Sequence, residues 1–297
     1  MLRWSRLLLS ILSILWLGSV FAQTPAGYAG EITAWHAARI SRLQADNGWL
    51  NLAGLYWLDE GRNSFGSDPG NKIVFPKGTI TPSAGYFERK GNTVRIVVEN
   101  NTAIKVNGAL VKEAVIYDKD SARPAVLSYD NLRWTIIRRD DKIGVRLRDL
   151  KNAQAVGFQG IQRYPADSAW RIKAFLRKPP FPQTIPITNV LGQVSQQQTA
   201  GTLEFTIHDK KYTLDALEEG DELFIIFADG TSGNTTYPSG RFLYAIKPDP
   251  DGITLIDFNK AINPPCAFTP YATCPLPPKQ NVLQVNVAAG EKNYEHQ

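Results

Sequence analysis

The sequence predicts a mainly β fold: an N-terminal helix, a β-sandwich and a C-terminal β-domain. Three observations carry this. One early stretch places apolar residues at helical spacing, the remainder reads as short β-rich runs between turn residues, and the strand pattern lapses once in mid-chain. The length of 297 residues suits two domains or one large β protein. Apolar residues at 43% with charged residues at 21% exclude both a disordered chain and a membrane-embedded one.

Residues 1–22 stand apart. Arg3 and Arg6 precede an apolar run from Leu7 to Val20, and Val20 and Ala22 are the residue types found before a cleavage point. The run is short for a bilayer span, so a secretory signal cleaved between Ala22 and Gln23 is expected, with an uncleaved anchor as the alternative. No cysteine lies near that point, which excludes a lipoprotein anchor, and no later segment approaches spanning length. The mature chain, 275 residues, is then secreted or periplasmic. Losing Arg3 and Arg6 lowers the net charge from +5 to +3. Adjacent basic residues occur only as the pairs Arg89-Lys90, Arg138-Arg139, Arg177-Lys178 and Lys210-Lys211, without interleaved aromatics, so nucleic acid is not an expected partner.

Residues 23–49 form the helix and its lead-in. Ile32, Trp35, Ala38, Ile40 and Leu43 fall near helical spacing from Glu31 to Leu43, and Asp46-Asn47-Gly48 ends the run. His36 on this helix reads as a packing or surface residue. Residues 50–150 follow as the first β-domain, with strands expected at Lys72 to Phe75, Thr93 to Val98, Ala103 to Val106, Arg133 to Ile137 and Ile143 to Leu147. Turns fall at Lys90-Gly91-Asn92 and Asn107-Gly108.

Residues 151–297 form the second β-domain. Its strands are expected at Trp170 to Leu176, Ile185 to Leu191, Thr202 to Ile207, Lys211 to Leu217, Leu223 to Phe227, Arg241 to Ala245 and Ile253 to Asp257. The boundary falls around Lys151 to Asp167. All tryptophans lie before or just past it, so the second core is expected to use Phe, Tyr and aliphatic residues.

Two resemblances follow from particular residues. The stretch Phe65-Gly66-Ser67-Asp68-Pro69-Gly70-Asn71-Lys72-Ile73-Val74-Phe75-Pro76, with the later Val106-Asn107-Gly108, resembles a forkhead-associated domain and implies a sandwich over about Leu50 to Asp149. That family's phosphate-gripping Arg is replaced here by Ser67, and its Ser-x-x-His signature would fall at Ser83 to Tyr86, which has no His. Phosphothreonine binding is therefore not carried over. Over most of its mature length the chain is similar to the bacterial domain-of-unknown-function family 1684. The similarity rests on Gly48-Trp49-Leu50-Asn51-Leu52, Phe65 to Pro69, Gly220-Asp221-Glu222-Leu223-Phe224, Gly240-Arg241-Phe242-Leu243, Asp257-Phe258-Asn259-Lys260-Ala261 and the block from Asn263 to Pro275. That resemblance implies architecture and no activity.

Chemistry-bearing residues concentrate between Asp229 and Asn263. The candidate pocket residues are Asp229, Thr231, Tyr237, Arg241, Asp257, Asn259 and Asn263, with Ser232 nearby. In one reading Arg241 binds an anion, Asp257 or Asp229 is a general base and Tyr237 an acid or orienting donor. In the other, a polar hairpin from Asp229 to Gly240 precedes two strands and Arg241 pairs structurally with Asp257. No Gly-x-Ser-x-Gly elbow surrounds Ser232, and His36, His208 and His296 are scattered, so a serine triad is not expected. Asp249-Pro250-Asp251-Gly252 lacks EF-hand spacing and reads as a turn. With two cysteines and three histidines, neither a metal nor another cofactor is expected. Cys266 and Cys274 sit in a window, Pro264 to Pro278, that holds six of the nineteen prolines. In an exported chain they suggest a disulfide closing a rigid loop, with buried thiols or redox chemistry as alternatives.

The function expected from these readings is that of a binding or scaffold protein of the bacterial envelope, taking a small molecule, a glycan or another envelope protein. The alternative is a metal-independent hydrolase or lyase acting on an anionic substrate through Asp257, Tyr237 and Arg241.

Overall fold

The computed structural model describes residues 25–120, 124–139 and 141–294. The signal sequence read at residues 1–22, with its cleavage point at Ala22 and Gln23, lies outside the described residues, as does His296. The described residues are mainly β, with the N-terminal helix in place and three sheets among them. No described helix is long and apolar enough to cross a membrane.

The helix runs Pro25–Gln44, longer than the expected span. Pro25 suits a first turn, where a missing N–H costs nothing. Tyr28, Ile32, Arg39 and Leu43 form the buried stripe, so one face carries a tyrosine and an arginine that the apolar pattern could not announce. Beyond the helix, the Gly48 N–H donates to the Ala45 carbonyl (2.6 Å), and a Cβ at Gly48 would overlap the Leu43 carbonyl. Only glycine fits that close return.

Two sheets then face each other across one core. The first carries Leu52–Trp57, Lys142–Asp149, Leu132–Arg139, Leu127–Tyr129, Lys105–Val106 and Ala109–Leu110 in that order. The second carries Ile73–Val74, Gly61–Gly66, Gly85–Lys90, Thr93–Val98 and Glu113–Tyr117. Phe65, Phe75, Phe87, Ile96, Trp134 and Val145 fill the space between them, with Phe65 and Phe87 stacked at 4.5 Å. Asn107 and Gly108 (φ 50° and 88°) make the tight turn between two short strands, as that dipeptide predicts.

Alternation on two of these strands decides what the rest of the molecule meets. Leu132, Trp134 and Ile136 point inward from one, Ile143, Val145 and Leu147 from its partner. The period of two therefore turns Arg133, Arg139, Lys142, Arg146 and Arg148 outward.

The third sheet takes the order Arg241–Ile246, Glu222–Phe227, Lys210–Glu219, Val194–Ile207, Arg171–Arg177, Ile253–Asp257, all antiparallel, with Thr184–Thr188 paired to the start of the fourteen-residue strand. Its first and last strands return side by side, where the Thr254 hydroxyl donates to the Ile246 carbonyl (2.6 Å), so the sheet curls into an open barrel. Leu203, Leu214, Ile225, Phe227, Leu243, Ile256 and Phe258 fill it. Trp170 packs against this core, so its aromatic set is not confined to Phe and Tyr as the sequence suggested.

Candidate functional site

The seven candidate residues do not meet in one place. Asp229, Thr231 and Arg241 form a closed node at one end of the barrel. Arg241, fully buried, donates from Nη2 to Asp229 Oδ2 (2.8 Å) and to the Val287 carbonyl (3.0 Å), and from Nη1 to the Ala289 carbonyl. Asp229 Oδ1 accepts from the Thr231 N–H (2.8 Å), the Thr231 hydroxyl (2.6 Å) and the Val287 N–H (3.1 Å). The partner of Arg241 is therefore Asp229, not Asp257 as expected. Alternation explains the difference: Arg241 points into the barrel with Leu243 and Ala245, whereas Asp257 points out of it. Burial pulls the Arg241 guanidinium below its ordinary pKa, against the pull of Asp229, and the Phe227 ring lies 5.2 Å beneath it. Both oxygens of this carboxylate are used and Arg241, whose Nε lacks a partner, is fully buried away from the cleft, so the node holds structure together.

Asp257 and Asn259 form a second node. The Tyr28 hydroxyl donates to Asp257 Oδ1 (2.8 Å), which also accepts from the Asn259 N–H (3.1 Å) and Nδ2 (3.1 Å). Asn259 Nδ2 further reaches the Asp167 carbonyl (2.8 Å), and its Oδ1 takes the Asp167 N–H (3.0 Å). Burial first, then the Asp257 carboxylate, raises the Tyr28 phenol far above its usual range. The helix is thus tied to the barrel by a hydroxyl–carboxylate bond. Tyr237 is elsewhere, packed with Leu43, Leu50 and Phe268, and burial raises its phenol too. Asn263 donates its N–H to Glu291 Oε2 (2.6 Å) and its Nδ2 to the Lys292 carbonyl (2.7 Å), while its own carbonyl accepts from Arg39 (3.1 Å).

Of the seven, only Asp257 and Asn263 reach the large cleft of the molecule, about 1530 Å³. Its floor is the outward face of the barrel, with Phe224, Phe242, Tyr244 and Leu255. Its walls are the helix residues Trp35, Arg39 and Arg42, then Trp49, and the sandwich residues Arg139 and Arg146. Cys266 and Cys274 form a disulfide with Cα atoms 6.1 Å apart, a usual span, and Pro265, Thr273, Cys274 and Pro275 from that loop close one side. The loop packs through Cys274 and Ala272 against Ile226 and Phe242, and through Phe268 against Tyr237.

Four of the eight basic residues in the cleft are paired: Arg39 with Glu291, Arg171 and Lys260 with Glu31, and Lys247 with Glu218. Arg146 is not. It sits on the outward face of its strand yet is only 8% exposed, because Trp49 covers it, with the guanidinium 5.4 Å from the ring centroid. Its Nε and Nη2 have no hydrogen-bond partner. Burial lowers its pKa to about 10, helped by the like charges of Arg139 and Arg148. Arg139 Nε is held by the Thr273 hydroxyl at 3.2 Å, across the gap between sandwich and loop. The residues that sequence reasoning missed are therefore Arg146, Arg139, Trp35 and Tyr244, with Trp49 noticed only as part of a motif. The strand period placed Arg146 outward, but an outward arginine normally meets water.

His36 contributes nothing to the cleft; burial lowers its pKa and its Nε2 is buried without a partner. His208 lies at a turn (φ 47°), edge-on to Trp170. Among the described residues no group of three His, Cys, Asp or Glu is placed to hold a metal ion. Ser67 donates its hydroxyl to the Ile80 carbonyl (2.7 Å).

Comparison with known proteins gives partial matches. No curated protein matches the chain. Among solved structures, an uncharacterized protein of Haloarcula marismortui determined by solution NMR is 29% identical over 48% of this chain and 82% of its own, with a TM-score of 0.40. One FHA domain comes from work on phosphothreonine-dependent FHA domain interactions, and another is the FhaA FHA domain complexed with the intracellular domain of Rv3910. Each is 16% identical over 32% of this chain, and they are matched over 92% and 97% of their own lengths, with TM-scores of 0.22. The blocks from Gly220 to Pro275 that carry the family resemblance fall inside a direct match: residues 156–292 fit the family described as protein of unknown function, DUF1684.

Proposed function

We propose that this is a binding protein of the bacterial envelope, exported by its N-terminal signal, that holds an anionic small molecule or glycan in the cleft between sandwich and barrel. The observation that carries this reading is Arg146, a guanidinium nine-tenths buried on the cleft wall with no acceptor for Nε or Nη2. Burying a charge without a partner costs stability, and ligand sites are where folds keep such groups. The hydrolase reading needs Asp257, Tyr237 and Arg241 in one cleft, and of these only Asp257 lines it.

The test is a thermal-shift screen of organic anions against the wild-type protein and Arg146→Met. Ligands of the cleft raise the melting temperature of the wild type and not of the variant. Equal shifts in both would remove Arg146 from the site. Export is checked by cell fractionation with intact-mass analysis, where a mature chain beginning at Gln23 supports it and a full-length cytoplasmic chain refutes it.

A further inference from the structure

Three polar side chains on the cleft walls keep hydrogen-bonding capacity that the fold does not use. Arg146 has Nε and Nη2 free of acceptors. Asp257 (7% exposed) and Asn263 (0%) have Oδ2 and Oδ1 free of donors, the cation beside Asp257 Oδ2 being Lys260 Nζ at 3.9 Å. All three line the same cleft. Folded proteins leave few such groups, so one unused donor side chain and two unused acceptors around one cavity specify the complementary ligand: an oxyanion with donor groups of its own.

Aromatic rings supply the other half of the argument. Trp49 stands against Arg146, and Trp35 and Tyr244 line the cleft with it. A pyranose ring offers an apolar C–H face to such rings and hydroxyl donors around its edge. The cleft, about 1530 Å³, exceeds the roughly 300–1,000 Å³ of sites for drug-sized ligands and has room for several ring units. An amphipathic anion with a hydrocarbon tail would satisfy Arg146 but leave Asp257 without a donor.

We infer that the cleft binds a carboxylate-bearing oligosaccharide, with its carboxylate on Arg146, a hydroxyl donating to Asp257, and sugar faces against Trp49 and Tyr244. This inference rests on the cleft being the ligand site, as proposed above.

The experiment is isothermal titration of the full chain with trigalacturonate, the neutral trisaccharide tri-N-acetylchitotriose, and dodecanoate, each at millimolar concentration. Trigalacturonate binds one to one, and the neutral trisaccharide at least about tenfold more weakly, the worth of one charge-assisted contact. Arg146→Met weakens trigalacturonate about tenfold or more and leaves the neutral sugar unchanged. Lys211→Gln, an exposed charge away from the cleft, changes neither, and melting curves confirm that each variant is folded. Equal affinity for acidic and neutral sugars overturns the carboxylate assignment. Binding of dodecanoate without any saccharide overturns the oligosaccharide while keeping an anion site, and no binding by any probe overturns both readings.

Discussion

Replacing Arg146 with Met should make the protein more stable. Methionine keeps most of the unbranched stem that fills the wall under Trp49 and removes the charge. Burial lowers the guanidinium pKa from its ordinary range to about 10 in the folded chain, which corresponds to roughly 3 kcal/mol against the protonated form. Because the folded value lies below the unfolded one, the unfolded chain holds its proton more tightly. The penalty is therefore full at every pH below about 10 and fades only as pH rises above it. Against this stands the contact with the Trp49 ring, worth ~0.5–2 kcal/mol, which the substitution forfeits. The net gain is about 1–2 kcal/mol, or a rise in melting temperature of roughly 2–8 °C for a chain of this size. Urea unfolding and calorimetry at pH 7 measure it. Arg146→Lys, which keeps a charge, should show no such gain. A loss of more than about 1 kcal/mol in Arg146→Met would refute the reasoning, since it would mean that an acceptor holds the guanidinium in the folded protein.

Three further outcomes follow from the same structure. Arg241→Ala should cost about 3–5 kcal/mol, because it strands Asp229 in the barrel end, and urea unfolding reads the loss; a change under about 1 kcal/mol would contradict a structural role. Reducing Cys266–Cys274 should cost about 2.5 kcal/mol from the freed nine-residue loop, seen as a lower melting temperature with reductant, and neither cysteine should alkylate without it. The Glu31 carboxyl is held below its ordinary pKa chiefly by the Lys260 ammonium, so its contribution is present above about 4.5 and is lost as pH falls through the lower folded value. Glu31→Gln should then cost no more than about 1 kcal/mol at pH 7 and progressively less as pH falls below about 4.5, compared by paired melting curves; an equal loss throughout would show that packing, not charge, is at stake.

Much of the architecture was legible because alternation and turn residues act locally. Thr93–Val98 and Ile253–Asp257 were read to the residue, and the strands from Arg171 to Phe227 and at Arg241 within a residue or two at most ends. Among the strands that escaped are some whose apolar face is thin. Gly61–Gly66 offers only Phe65 as a large inward residue, and the sequence pattern announces no strand there. The first half of Val194–Ile207 is polar because it is paired only with the exposed Thr184–Thr188 ribbon.

The site was harder to read for a physical reason. Asp229 and Arg241 look catalytic in sequence, since a buried ion pair and an active site use the same residue types. Only the inward turn of Arg241 tells them apart. Arg146 looks ordinary in sequence, since nothing local says that Trp49, nearly a hundred residues earlier, will cover it. The Cys266–Cys274 loop was legible as a rigid disulfide-closed loop, while its place beside this cleft depends on the sandwich lying opposite.

A crystal structure of the protein with trigalacturonate tests the central claim most directly. The account predicts saccharide density in the cleft beside Trp49, with a carboxylate on the Arg146 guanidinium and the Asp229–Arg241 node unchanged. Saccharide bound elsewhere, or an acidic side chain of the protein itself seated on Arg146, would contradict it.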